Sequence, residues 1–164
     1  MRWHPALAAL CVALALVATA CGGGSSPVQD YFRLVDQLND TYEEETNRLN
    51  DELASLSEEE ANLRGPDIIE QQFDAFGTFA AGLAALEPPA EVADAHGEAV
   101  QAAQAFLAVF RDLIGGLGDA PTLNELVPLL QREDFSDAGQ RLREGCSNLA
   151  QIADDNGISV DLAC

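Results

Sequence analysis

A chain of 164 residues with 28 acidic and 8 basic side chains, none of them lysine, carries a formal charge of −20. Such a surface repels nucleic-acid phosphates and anionic lipid head groups, which excludes nucleic acid as a partner and favours cations, basic peptides and basic protein patches. Hydrophobic residues make up 48 % of the chain, enough to give one domain a real core.

Residues 1–26 divide into three zones. Arg2 and His4 make a short positive start, and Ala6 to Ala18 is almost wholly Ala, Leu and Val, with Cys11 inside it. The small residues Ala18, Thr19 and Ala20 then lead into Cys21, followed by Gly22-Gly23-Gly24-Ser25-Ser26. This order predicts a signal peptide over residues 1–20. The apolar run is short of the about 20 residues that a membrane-spanning helix needs. The pattern resembles the lipobox of bacterial lipoproteins, in which the Cys becomes the first mature residue and carries diacylglycerol. Ala18 stands where those peptides most often have Leu. The resemblance implies that Cys21 is the lipidation site and that residues 21–26 are a flexible tether. It also places the domain over 27–164 on the extracytoplasmic side of the cell membrane. A secreted protein cut after Ala18 or Ala20 is the alternative. Loss of residues 1–20 removes one basic residue, Arg2, and no acid, so the 144-residue mature chain carries −21.

Ser26-Pro27 predicts the start of the first helix, with Ser as N-cap and Pro at the first helical position. Val28, Tyr31, Val35, Leu38, Tyr42, Leu49, Leu53 and Leu56 recur mostly three and four residues apart and form one apolar stripe. The acidic runs Glu43-Glu44-Glu45 and Glu58-Glu59-Glu60 read as solvated faces of that helix, which Arg64-Gly65-Pro66 is expected to stop. Pro66 opens a second helix with Ile69, Phe73, Phe76, Ala80 and Leu83 on its stripe, and Glu87-Pro88-Pro89 ends it. A third runs from about Ala90 to Leu117, with His96, Ala103, Leu107 and Phe110 on its apolar side. A short helix from Leu123 follows, interrupted by Pro128. The last helix starts near Ser136-Asp137, carries Leu142, Cys146, Leu149 and Ile152 on one face, and stops at Asn156-Gly157. Ile158 to Cys164 alternates apolar and polar and is expected to fold back as an extended tail. With no partner for a strand, the fold expected is all-α: an antiparallel bundle of about four main helices plus one short one.

Cys146 and Cys164 form the even pair of an exported chain, which predicts a disulfide pinning the tail to the last helix. Closing that short loop contributes about 3 kcal/mol in the loop-entropy model.

His96 is the one histidine of the mature chain, and two readings of it stand. With Glu91 and Asp94 it is a weak metal candidate; on an apolar stripe it is more often a buried polar group satisfied by a backbone or acidic partner. Di-iron bundles need Glu-x-x-His on two helices, and the chain has none. Asp154-Asp155-Asn156-Gly157 lacks the ligand spacing of a calcium loop and reads as a helix C-cap. Neither a phosphate-binding loop nor a Gly-x-Ser-x-Gly elbow occurs. No metal or cofactor is therefore assigned, and no residue is assigned a catalytic role.

Cys21-Gly-Gly-Gly, the segment from Leu86 through Pro88-Pro89 to His96, and the tail from Cys146 to Cys164 are similar to the small helical lipoproteins of actinobacteria and other GC-rich bacteria. No activity is assigned to these, so the resemblance implies address and fold only. The function expected is a membrane-anchored, non-enzymatic binding or envelope-associated module. Its partners are the membrane, through the lipid on Cys21, and a basic protein, a peptide or a cation. The alternatives are a cation-binding lipoprotein and a carrier of a small apolar ligand held among Phe73, Phe76, Phe79, Phe106 and Phe110.

Overall fold

The computed structural model describes residues 25–117, 121–160 and 162. Five helices follow one another: α1 (Pro27–Ser55), α2 (Glu58–Ala84), α3 (Ala93–Gly115), α4 (Leu123–Leu130) and α5 (Glu133–Asp155), with no strand among the described residues. The all-helical expectation holds. Four of these helices are long and one short.

The Ser26 hydroxyl accepts the Gln29 N–H at 3.1 Å, and the Gln29 side chain accepts the Ser26 N–H at 2.9 Å, so two of the unpaired amides at the start of α1 are satisfied. The boundary between α1 and α2 differs from the sequence expectation. The break falls at Leu56-Ser57, because Ser57 and Glu60 make a second capping box and Leu56 is extended. Glu58, Glu59 and Glu60 therefore form the first turn of α2, where the helix dipole favours negative charge. Gly65 and Pro66 lie buried inside α2 rather than at a stop. A Cβ built on Gly65 would come within 2.6 Å of the Leu123 side chain, so the missing side chain is what lets α4 lie against α2. On α2 the fully buried isoleucine is Ile68, one position before the expected Ile69.

α3 begins three residues after Ala90, because Pro89 accepts the Val92 N–H and forms a turn first. α5 begins three residues before Ser136; Glu133 and Asp134 occupy its first turn. At its end Gly157 takes φ +69°, the Ile158 N–H donates to the Ala153 carbonyl and the Gly157 N–H to the Asp154 carbonyl. This is a Schellman cap, which glycine favours because it has no Cβ to clash. The acids beside it are exposed.

The long helices alternate in direction. Tyr42 of α1 faces Phe79 of α2 while Asn50 accepts from Gln72, so residue numbers rise along one helix as they fall along the other. The same holds for α2 and α3, through Phe76–Phe106 and Phe73–Phe110, and for α3 and α5, through Phe106–Phe135 and Asn148–Glu98. α1 packs mainly on α2 and α3 mainly on α5, and the backbones of α1 and α5 stay apart.

The core has two parts. The larger joins Val28, Tyr31, Phe32 and Val35 of α1 to Phe79 and Leu83 of α2, Ala99 and Ala103 of α3, and Leu149 and Ala153 of α5. Ile158, Val160 and Leu162 pack against it, the three apolar positions of the alternating tail. Leu49, Ile68, Leu113, Leu126 and Ala138 are buried outside that cluster, toward the α4 end.

Candidate functional site

Beside the larger cluster lies a cleft of about 570 Å³, to which every helix or its flank contributes. Tyr42 and Thr46 come from α1, Phe73 and Phe76 from α2, and Phe106 from α3. Leu130 ends α4, and Phe135, Gly139, Leu142 and Arg143 lie on α5. Its residues fall three and four apart on α1, α2 and α5, so each of these helices turns one face to it.

The walls are aromatic rings in mutual contact. Phe106 packs on Phe135 at 5.0 Å between ring centres, on Phe73 at 5.6 Å, and edge-on against Phe76 at 5.8 Å. Tyr42 meets Phe76 edge-on, also at 5.8 Å. Such tilted and edge contacts suit the ring quadrupole. Polar atoms are few. The Thr46 hydroxyl is buried and has no hydrogen-bond partner among the described residues. Gln72 is held by its Nε2–H donating to Asn50 at 2.8 Å. Gln131, Ser136 and Arg143 complete the polar part of the lining.

Of the five phenylalanines named from the sequence, Phe73, Phe76 and Phe106 line this cleft. Phe110 stands behind Phe73 with the rings parallel and 3.3 Å apart, and Phe79 turns to the other side of Tyr42. Sequence reasoning missed Phe135, because it places the start of the last helix one residue after it, and missed Tyr42 and Thr46, whose place depends on the gap between α1 and α5.

His96 is buried on α3, and its Nδ1 lies 2.9 Å from the Tyr31 hydroxyl of α1. The partner is thus a tyrosine rather than the backbone or acidic group expected. Burial pushes the imidazole below its ordinary range and the phenol above its own, so both are held neutral. The pair ties α1 to α3 across the larger core. Glu91 and Asp94 are exposed, and among the described residues no group of three or more His, Cys, Asp or Glu is placed to hold a metal ion. Cys146 is buried in the core and is not a free thiol. Cys21 and Cys164 lie outside the described residues. No helix among the described residues is long and apolar enough to cross a membrane.

Comparison with known proteins returns no match. Neither a family model, nor a curated protein, nor a solved structure matches the chain. The cleft and its residues thus carry the functional reading.

Proposed function

We propose that this chain is a lipid-anchored extracytoplasmic binding module, tethered through Cys21, that holds a small apolar ligand in the cleft between α1, α2, α3 and α5. The observation that carries the reading is the aromatic cleft itself. Its volume of about 570 Å³ falls in the range of about 300–1,000 Å³ usual for small-molecule sites, and it combines an apolar lining with a few polar atoms. The anchor rests on the three zones of residues 1–20, the Cys at position 21 and the Gly-Ser tether after it.

A disulfide between Cys146 and Cys164 completes the reading. It is supported by the burial of Cys146 and by the tail residues Ile158, Val160 and Leu162, which run back onto the core that holds it. The link keeps the C-terminus against α5 in an oxidising compartment.

Two measurements test the proposal. In the bacterial host, Cys21→Ser moves the protein from the membrane to the soluble fraction; a variant that stays membrane-bound removes the anchor. For the cleft, a neutral fluorescent probe such as N-phenyl-1-naphthylamine is expected to bind with enhanced emission. Gly139→Leu is expected to abolish that binding with unchanged helical circular dichroism. A Cβ at Gly139 meets Arg143 and Phe106 only at ordinary contact distances of 3.6 and 3.7 Å, so the larger side chain fills the cleft rather than breaking the fold. Equal probe binding by both proteins removes the cleft reading.

A further inference from the structure

We infer that the ligand of the aromatic cleft is an apolar molecule bearing one anionic group, bound at Arg143. The inference rests on the cleft reading above and adds the chemical class of the ligand.

The chain has 28 acidic residues, yet none lines this cleft. Four other depressions on the described surface each carry two carboxylates: Glu44 and Glu45 in the groove beside α1 and α2, for example, and Glu98 and Glu144 between α3 and α5. In a protein so acidic, a carboxylate-free cleft of this size is a local departure from the surface around it. An anion held in it meets no carboxylate in the lining, unlike one held in any of those four.

The arginines tell the same story. Arg33, Arg48, Arg64 and Arg132 each lie against a carboxylate. Arg111 and Arg141 make no such pair, but each shares its depression with acidic residues. Arg143 makes no ion pair among the described residues and shares its cleft with none. The carboxylate next to it in sequence, Glu144, is engaged by the Gln140 side-chain amide at 2.9 Å. Arg143 reaches back along α5, as long helical side chains do, so that Nη1 and Phe106 Cε2 flank the same point above Gly139. The guanidinium thus stands beside the aromatic wall, where one ligand can touch both.

The Ser136 hydroxyl and the Arg143 guanidinium in the lining of the cleft are donors suited to an acceptor such as a carboxylate oxygen. Acyl and aromatic carboxylates share this chemistry, and the probes below separate them.

The test uses the chain carrying Cys21→Ser and isothermal titration calorimetry at pH 8. Dodecanoate, dodecanol and dodecylammonium share one apolar body and differ in charge; 2-naphthoate and 2-naphthalenemethanol form the aromatic pair. In at least one of the two series the carboxylate binds about five-fold more tightly than its alcohol, the upper end for a solvent-exposed ion pair. The series that shows this identifies the apolar body as acyl or aromatic. Arg143→Gln removes that preference while the alcohol still binds, a result that loss of folding does not produce. The inference falls if alcohol and carboxylate bind equally in both series, if dodecylammonium binds best, or if Arg143→Gln leaves the preference intact; the cleft reading survives each of these. If none of the five compounds binds, the cleft reading falls and the inference with it.

Discussion

The Tyr31–His96 pair shows how burial decides chemistry at a single residue. An imidazole 2.9 Å from a phenol inside an apolar core gains nothing from a charge, because no carboxylate faces it there and desolvation penalises the cation. Its folded pKa therefore lies below the ordinary value of about 6.5 that it regains on unfolding. Stabilisation from the neutral imidazole is fully present above that pH and is lost as the pH falls through the depressed value. Tyr31 behaves in the opposite sense: its pKa is raised, so its contribution is present below about pH 10 and lost above. The gap in unfolding free energy between wild type and His96→Gln should thus be largest at pH 8 and narrow below pH 6. Chemical denaturation at several pH values measures it, and the variant cancels the titration of the many carboxylates. A gap that stays constant from pH 8 to 5 contradicts the assignment of His96 as a neutral buried group.

At the scale of the helix, much could be read directly. Ser26-Pro27, the Asn156-Gly157 cap and the apolar stripes give the existence and order of the helices, because capping and periodicity are local properties. The errors share one cause. Leu49, Leu53 and Leu56 keep helical spacing up to the break, so the first helix reads as running on to Gly65-Pro66. The signature Ser57-Glu58-Glu59-Glu60 was nevertheless present, and its capping box satisfies two of the backbone amides that the break leaves unpaired. Gly65-Pro66, in turn, reads as a stop only until α4 is seen to cover it.

Helix approach gives a prediction at the same scale. A Cβ on Gly145 would sit 3.1 Å from the Ala99 Cα, against backbone that cannot yield, whereas a Cβ on Gly97 would meet nothing within 4 Å. Alanine at both positions gains the same helix propensity, roughly 0.5–1 kcal/mol. Gly97→Ala should therefore raise the melting temperature. Gly145→Ala should lower it, because overpacking between α3 and α5 costs about 1–3 kcal/mol. Thermal melts with opposite signs confirm this packing; a stabilised Gly145→Ala means that the two helices lie farther apart.

Charge acts on the whole molecule. Five ion pairs among the described residues, all substantially exposed, contribute little against a net charge of −20. Self-repulsion should dominate the salt response. Raising NaCl from 0.01 to 1 M shortens the screening length from about 30 to about 3 Å. The melting temperature is expected to rise, by roughly 2–4 °C for each kcal/mol of repulsion relieved. A melting temperature that falls with salt would mean that the ion pairs outweigh the repulsion.

By itself the sequence determined the helical class, the helix order, the acidic surface and an N-terminal pattern that resembles a lipoprotein signal, since each is written in composition or in spacing along the chain. It also offered Phe73, Phe76 and Phe106 as a ligand wall, although helically spaced aromatics more often read as core. Only the tertiary structure brings these three rings to one cleft. Whether a gap remains between helices depends on how far α1 stands from α5, a distance set by packing among residues remote in sequence. The same packing puts Phe135 on the wall, leaves Thr46 unpaired and brings Arg143 to a cleft that no carboxylate lines.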